Sequence, residues 1–263
     1  MTIFSHILQV NFSGGCYHRD ERGDTMAYQA VFKRYEMKYL LSQQQKQRVL
    51  EAMAPYMKLD RYGRTTIRNL YFDTENYRLI RRSIEKPAYK EKLRIRSYRQ
   101  VSSGDAVFVE LKKKYKSVVY KRRLAMPEAE AVNWLCGNGT VADSQIAREI
   151  TYFKEFYRGL RPTVFLSYER EAYYSLDGSD FRITFDDHIC CRRYDLSLES
   201  EPGGIPLLED GKVMMEIKTS GGIPLWLTAV LTREKIFKTS FSKYGTAYQT
   251  MIFPELQGGY IHV

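Results

Sequence analysis

The feature that most constrains the fold is a strand pattern in which charged residues alternate with apolar or aromatic ones. In residues 31–39 a two-residue period places Arg34, Glu36 and Lys38 on one face and aromatic or apolar side chains on the other. The pattern returns at least four times further along the chain. The later charged faces carry Arg94, Arg96, Glu110, Lys112, Lys114, Arg170, Glu216 and Lys218.

These charged faces must be hydrated, and the apolar faces of the same strands must pack against other parts of the protein. Burying an unpaired charge in a dry core costs several kcal/mol even after relaxation. This number of like charges therefore cannot be packed in a dry core. For a single strand, a charged face is usually the solvated outside of a sheet. Repetition over many strands, with an excess of cations, favours another arrangement. We predict an α+β fold, a closed antiparallel β-barrel whose polar lumen forms a tunnel and whose helices pack outside.

A lumen lined mainly by lysine and arginine is suited to a chain of phosphates. The acids between the cations are Glu36, Glu110 and Glu216. Mn²⁺ and Mg²⁺ take one or two carboxylates and complete their coordination with phosphate oxygens and water. The sequence therefore predicts a phosphate-chain site that uses Mn²⁺ or Mg²⁺.

The net charge of +10 indicates an anionic partner, which could be nucleic acid, a membrane surface or a phosphorylated small molecule. A nucleic-acid partner is not expected, because the cations alternate along strand faces instead of clustering with aromatics on an open surface. The sequence contains no apolar run of about 20 residues, so no transmembrane helix is predicted; a membrane partner encoded elsewhere stays open.

The cysteines do not form a recognisable site. Cys16, Cys136, Cys190 and Cys191 lack C-x-x-C spacing, and a reduced, cytoplasmic compartment is expected. His188 precedes the adjacent pair, but this spacing fits no common metal site. We predict that His188 lies in a turn after a strand at 182–187.

The chain shows no internal linker. We predict a flexible extension at 1–26, a single domain at 27–256 and a tail at 257–263. Ser42 is a typical N-cap for the first helix, and 197–211 is rich in turn residues. Helices are predicted at 43–53, 76–84, 127–135, 143–157 and 225–237.

Six motifs carry a resemblance to a known family. They are Arg34-Tyr-Glu-Met-Lys-Tyr, Leu93-Arg-Ile-Arg, Glu110-Leu-Lys-Lys-Lys, Ser167-Tyr-Glu-Arg, Met215-Glu-Ile-Lys-Thr-Ser-Gly and Ser242-Lys-Tyr-Gly. Together, over residues 30–253, they resemble the VTC (vacuolar transporter chaperone) polyphosphate polymerase domain of the triphosphate tunnel metalloenzymes, also called CYTH-like. The resemblance implies an eight-stranded tunnel that binds ATP, pyrophosphate or polyphosphate with Mn²⁺ or Mg²⁺. In yeast-like members the domain transfers the γ-phosphoryl group of ATP to polyphosphate.

The resemblance also implies roles for individual residues. Glu216 is the principal metal ligand, with Glu36 and Glu110 as helpers, and Tyr168 is a donor on the tunnel wall. Lys121 is preferred to Arg123 where the family pattern is loose. The cations assigned to phosphate binding and transfer are Lys38, Arg94, Arg96, Lys218 and Lys243, with Arg34, Lys112, Lys114, Lys121 and Arg170 as further substrate-binding residues.

The sequence also departs from the family pattern. The first strand of hydrolytic relatives reads Glu-x-Glu-x-Lys, and Arg34 stands here in place of the first glutamate. This favours chain elongation modestly over hydrolysis. The SPX region and membrane helices of eukaryotic forms are not seen, which puts inositol-phosphate control and coupled export in doubt. The alternatives left open are a tunnel triphosphatase or polyphosphatase, and a non-catalytic phosphate-chain or nucleotide-binding module.

Overall fold

The computed structural model describes residues 17–19, 25–27, 31–32, 35–116, 118–137 and 139–258. The strands are β1 Tyr17–Arg19, β2 Thr25–Ala27, β3 Val31–Phe32, β4 Tyr35–Ser42, β5 Met57–Asp73, β6 Tyr89–Ser97, β7 Ala106–Tyr115, β8 Val118–Pro127, β9 Arg161–Ser175, β10 Arg182–Arg192, β11 Ile205–Pro206, β12 Lys212–Thr219 and β13 Lys238–Thr239. The helices are α1 Gln43–Met53, α2 Arg78–Ile84, α3 Glu128–Cys136, α4 Gln145–Phe156, α5 Leu225–Arg233, α6 Lys243–Ala247 and α7 Phe253–Gly258, with a π-helical turn at Tyr248–Ile252.

One antiparallel sheet organises the molecule. Its strand order is β13-β4-β12-β10-β9-β5-β6-β7-β8-β3, and β11 pairs with the far part of β10. β1 and β2 form a separate antiparallel pair. From β5 to β8 the strands pair antiparallel in chain order, with α2 lying between β5 and β6.

The prediction of an eight-stranded closed barrel is wrong in two respects. Within the described residues the sheet has eleven strands, and its hydrogen-bonded order ends at β13 and β3 without joining them. Eight of the strands have eight residues or more, while β3, β11 and β13 have two each. A two-residue strand has too little alternation to be recognised in a sequence, which is why the extra strands were missed.

The open sheet nevertheless curls around an enclosed space. Lys112 on β7 and Glu36 on β4 form an ion pair at 3.0 Å, although five strands separate β4 from β7 in the sheet. Phe32 of β3 and Tyr35 of β4 are also only three residues apart, which limits their Cα separation to about 11 Å. The concave face of the sheet therefore surrounds a lumen, and the seam lies between β4 and β8.

Helices cover the convex face, as predicted. Trp134 of α3 and Ile150 of α4 pack with Leu111 of β7 in one buried cluster. A second cluster joins Val49 of α1 and Leu227 of α5 to the apolar face of β4, β10 and β12. Because the apolar side chains alternate with the charged ones, these contacts direct the charged faces into the lumen.

Local sequence signals account for where several elements begin and end. Ser42 and Gln45 form a capping box at α1, which confirms the predicted N-cap. α5 ends at Arg233 instead of the predicted 237, because Lys235 takes a left-handed conformation with φ of 52°. Ser144 caps α4 through the backbone N–H of Ala147.

The prediction for His188 is wrong. β10 does not end in a turn at 187 but continues to Arg192, and the register shifts between Asp187 and Cys190. His188 has a φ of 47° at this β-bulge. Within the described residues no group of three or more histidine, cysteine or acidic side chains is arranged to hold a metal.

The predicted segments at the chain ends stay predictions. Most of the extension at 1–26, part of the tail at 257–263 and the position of Arg34 lie outside the described residues. In the part of the chain that is described, no helix combines the length and apolar character needed to cross a bilayer.

Candidate functional site

The register of the sheet brings charged side chains from seven strands together in the lumen. Arg94 is paired with Glu110, and Glu110 with Arg123, so β6, β7 and β8 present these groups at one level. On the opposite wall, Arg170 is paired with Asp186, and Lys38 with Glu216. The lumen-facing charged residues are Glu36, Lys38, Lys90, Lys92, Arg94, Arg96, Glu110, Lys112, Lys114, Lys121, Arg123, Arg170, Asp186, Glu216 and Lys218, with Lys243 added by α6.

Glu110 is the anionic centre of one wall. Its side chain is 1% exposed and accepts from Arg94 Nη2 at 2.7 Å, Lys121 Nζ at 2.7 Å and Arg123 Nε at 2.8 Å. Arg96 Nε lies 3.9 Å from the same carboxylate. Burial alone raises the pKa of Glu110, but these cations outweigh it and hold the pKa well below its usual value. Both carboxylate oxygens are thus occupied, which suits a residue that orients cations better than one that binds a metal.

Arg94 and Arg96 are held by neutral groups as well. Arg94 Nη1 donates to Tyr71 Oη at 2.9 Å, and Arg96 Nε donates to Asn69 Oδ1 at 2.8 Å. Arg96 Nη2 also donates to Tyr168 Oη at 3.0 Å. Burial raises the pKa of Tyr168, but neighbouring cations outweigh it and lower the pKa overall. The two guanidinium groups are therefore fixed before any ligand binds.

Asp186 is the anionic centre of the opposite wall. It is fully buried and accepts from Arg170 through two bonds, Nε–Oδ1 at 2.6 Å and Nη2–Oδ2 at 2.7 Å. Lys243 Nζ donates to the same carboxylate and lies 4.4 Å from the centre of the Tyr168 ring. Burial opposes ionisation, yet Arg170 and Lys243 lower the pKa of Asp186 to about 2. The pair of bonds fixes the plane of the Arg170 guanidinium group.

Two further carboxylates meet beside the seam. Glu216 lies 2.7 Å from Lys218 Nζ and 3.9 Å from Lys38 Nζ, while Glu36 pairs with Lys112. The pKa of Glu216 is well below its usual value because these cations outweigh burial. Glu36 and Glu216 also repel each other electrostatically, which places the two carboxylates within each other's field.

A short segment from the C-terminal part of the chain enters the lumen. Residues 241–244 contact several strands in turn, since the carbonyl of Phe241 accepts from Lys38 Nζ at 2.6 Å and Ser242 Oγ accepts from Lys92 Nζ at 2.9 Å. Tyr244 Oη donates to Asp73 at 2.9 Å, and its ring stacks on Tyr71. Ser242 also caps α6 through the N–H of Gly245. The segment therefore ties opposite walls of the lumen together.

One cavity opens at the seam. It has a volume of about 330 Å³ and is lined in part by Glu36, Lys114, Val119 and Gly222. Because Glu36 and Lys114 also face the lumen, this cavity is a mouth of the tunnel.

The structure brings most of the predicted site residues together. The members that meet in the lumen are Glu36, Lys38, Arg94, Arg96, Glu110, Lys112, Lys121, Tyr168, Arg170, Glu216, Lys218 and Lys243. Lys114 lies at the mouth. Their roles stay predictions.

Other members of the site were missed. Asp186 was recognised on a strand face but not as part of the site, and Arg123 was set aside although it reaches Glu110 together with Lys121. Lys92, Asn69 and Tyr71 were not singled out. Lys92 carries the same two-residue spacing from Arg94 that joins Arg94 to Arg96, and this signal could have found it.

The chain matches known proteins at the level of a family model and of fold. The model of the VTC domain matches residues 33–252. A candidate adenylate cyclase of Bacillus halodurans is similar with 15% identity and a TM-score of 0.50, over 84% of this chain and 100% of that one. A candidate adenylyl cyclase of Hippeastrum, described as having a dominant triphosphatase activity, has 18% identity and a TM-score of 0.49 over 83% and 97%. Comparison with curated proteins gives no match.

Proposed function

Because this chain belongs to the VTC domain family, we propose that it is a metal-dependent phosphotransferase that passes the γ-phosphoryl group of ATP to a polyphosphate chain in its lumen. The family supports a function related to polyphosphate or triphosphate, and the polymerase reaction is our more specific proposal. The site is the concave face of the sheet.

The observation that carries the proposal is the charge balance of this face. Among the described residues, its lysines and arginines greatly outnumber the carboxylates that pair with them, Glu36, Glu110, Asp186 and Glu216. Each carboxylate except Glu36 is shared by two or more cations. Polyphosphate carries its negative charges at regular intervals along a narrow chain, so it offers the counter-charge that the protein does not provide.

The proposed reaction requires little covalent chemistry from the protein. Phosphoryl transfer depends on placing the reacting oxygens in line and stabilising charge on the transferred group. Arg170, fixed by Asp186, and Arg94, fixed by Glu110 and Tyr71, are preorganised to do this without reorienting during the reaction. The acceptor oxygen belongs to the terminal phosphate of the growing chain.

The donor set near the seam fits a divalent cation. Glu36 and Glu216 supply carboxylates, and Thr184, opposite Glu216 in the register, has a buried hydroxyl without a hydrogen-bond partner among the described residues. Mn²⁺ or Mg²⁺ held there neutralises phosphate oxygens when bound. Glu110 is less suited to this role because three cations are bonded to it, whereas Glu216 and Glu36 each have one cation within 3.0 Å.

The test of the proposal is a ³¹P NMR assay of the pure protein with ATP, Mg²⁺ and a short polyphosphate primer. We expect growth of the resonance of internal phosphates together with ADP. Release of free phosphate without chain growth would show that the protein is a triphosphatase or polyphosphatase and not a polymerase. Binding of polyphosphate with no turnover would show that the protein is a non-catalytic binding module.

Glu216→Gln is expected to lower metal-dependent turnover by about 100-fold or more, since it removes a charged ligand from the proposed metal site while keeping the shape of the side chain. Polyphosphate binding should weaken less, because the lumen cations remain. Turnover and calorimetric binding measured on the same preparation check this. Glu171→Gln, on the outer face of β9 with Lys46 as partner, is the control. Equal losses of turnover and binding in Glu216→Gln would contradict the metal role.

A further inference from the structure

Like Lys90 and Lys114, Lys92 differs from most cations of the lumen in having no carboxylate partner among the described residues. It lies on β6 directly opposite Lys112 of β7, and its Nζ donates to Ser242 Oγ at 2.9 Å. No carboxylate lies within ion-pair distance of Lys92 among the described residues. By contrast, the lumen cations that have a carboxylate within 4.0 Å are Lys38, Arg94, Arg96, Lys112, Lys121, Arg123, Arg170, Lys218 and Lys243.

The strands around Lys92 contribute mostly cations, while the neighbouring strand β5 contributes the carboxylate of Asp73. β4 contributes Lys38, β7 contributes Lys112, and β6 itself contributes Lys90 and Arg94. α6 contributes the neutral hydroxyl of Ser242 at its N-cap.

The carboxylates that border this part of the lumen are already engaged. Glu36 is paired with Lys112. On β5, Asp73 follows Phe72, which is the partner of Leu93, and it accepts from the N–H groups of Leu79 and Ile80 and from Tyr244. Among the described residues, these carboxylates therefore leave Lys92 without an ion-pair partner.

The surroundings of Lys92 disfavour its charged form. Burial removes hydration from the ammonium group and the neighbouring cations repel it, and together these effects lower the pKa of Lys92 to about 7. Ser242 accepts one of the three hydrogens of the ammonium group, which leaves two donors for a ligand.

We propose that Lys92 is a phosphate-binding residue of this chain and that a proton enters the protein when a phosphate chain binds beside it. The inference rests on the proposed function, since it concerns the same lumen. The proton comes from the solvent and joins the lone pair of Nζ, while an oxygen of the bound phosphate supplies the missing counter-charge. Binding of the anion and protonation of Lys92 are thus coupled.

The test is a calorimetric titration with tripolyphosphate at pH 8, in buffers that differ in ionisation enthalpy. The dependence of the measured heat on the buffer gives the number of protons taken up. Lys92→Arg keeps a permanent charge, so it should bind tripolyphosphate while taking up about 0.9 proton fewer than the parent protein, given a pKa of about 7. Protons exchanged by the ligand cancel in this difference.

Two further variants sharpen the test. Lys92→Met should weaken tripolyphosphate binding about tenfold or more, the effect of losing a hydrogen bond to a charged group. Lys113→Met is the matched control, because Lys113 lies on the outer face of β7 with Glu149 at 3.8 Å, and it should leave tripolyphosphate affinity within about twofold of the parent. Circular dichroism of each variant verifies folding.

The outcomes separate this inference from the function on which it rests. A parent protein that binds no tripolyphosphate would overturn both. Binding by the parent, with the same proton uptake in Lys92→Arg or unchanged affinity in Lys92→Met, would overturn the role of Lys92 alone. Reduced uptake in Lys92→Arg together with weaker binding in Lys92→Met would support it.

Discussion

Replacing Glu110 with glutamine is expected to lower the free energy of unfolding by about 3–5 kcal/mol, the cost of removing one partner from a buried ionic cluster. Glu110 is 1% exposed and is shared by Arg94, Arg96, Lys121 and Arg123. The amide keeps the shape of the side chain but leaves these cations to repel one another. In the described part of the chain no neighbouring carboxylate can replace it, since Asp186 and Glu216 serve the opposite wall.

Urea unfolding followed by circular dichroism measures this change. Glu149→Gln is the matched control, because Glu149 also pairs with two cations, Arg122 and Lys113, but on the outer surface with a side chain that is 25% exposed. Its loss should cost less than about 1 kcal/mol. If the two variants unfold at the same urea concentration, Glu110 does not hold the wall together.

The same cluster sets the response to acid. Because the pKa of Glu110 is lowered in the folded protein, its ionisation stabilises the fold above the ordinary pKa of 4.5. That contribution is lost as the pH falls below this value and the carboxylate becomes protonated. In Glu110→Gln the acid unfolding curve should therefore be flatter than in the parent.

Replacing Arg170 with methionine is expected to reduce turnover by about 100- to 1000-fold, the range seen when one preorganised donor to a transition state is removed. Arg170 is oriented by two bonds to Asp186 and lies beside Lys243 and Tyr168. Arg170→Lys keeps the charge that Asp186 needs but loses the planar fork. We expect it to fold like the parent and to remain impaired in turnover.

The neighbouring pair on the other face of the sheet is the control. Arg64 donates to Asp187 through two bonds, and Asp187 directly follows Asp186 in β10 but points away from the lumen. Arg64→Met should leave turnover and tripolyphosphate binding within about twofold of the parent, because surface ion pairs contribute little. A similar loss of turnover in both variants would show that the effect does not come from the lumen.

The two-residue period of strands was sufficient to predict which face each charged residue occupies. Lys38, Arg94 and Glu216 lie in the lumen because apolar neighbours such as Tyr39 and Met215 are buried under helices. This inference needs only alternation within one strand. For the same reason it reaches most of the site without any knowledge of which strands are neighbours.

Pairing between strands could not be predicted in the same way. Glu110 was expected to help with metal binding, but its position between β6 and β8 gives it four cationic neighbours. Asp186 depends on Lys243, which is distant in sequence and arrives through α6. Strand order and register decide such contacts, and short strands such as β3 and β13 decide where the sheet stops.

The most direct test of the account is a crystal structure of the protein grown with tripolyphosphate. We expect electron density for the phosphate chain inside the lumen, within hydrogen-bonding distance of Arg94, Arg170 and Lys92. Density confined to the outside of the sheet, for example at the exposed Arg78, Arg81 and Arg82 of α2, would contradict it.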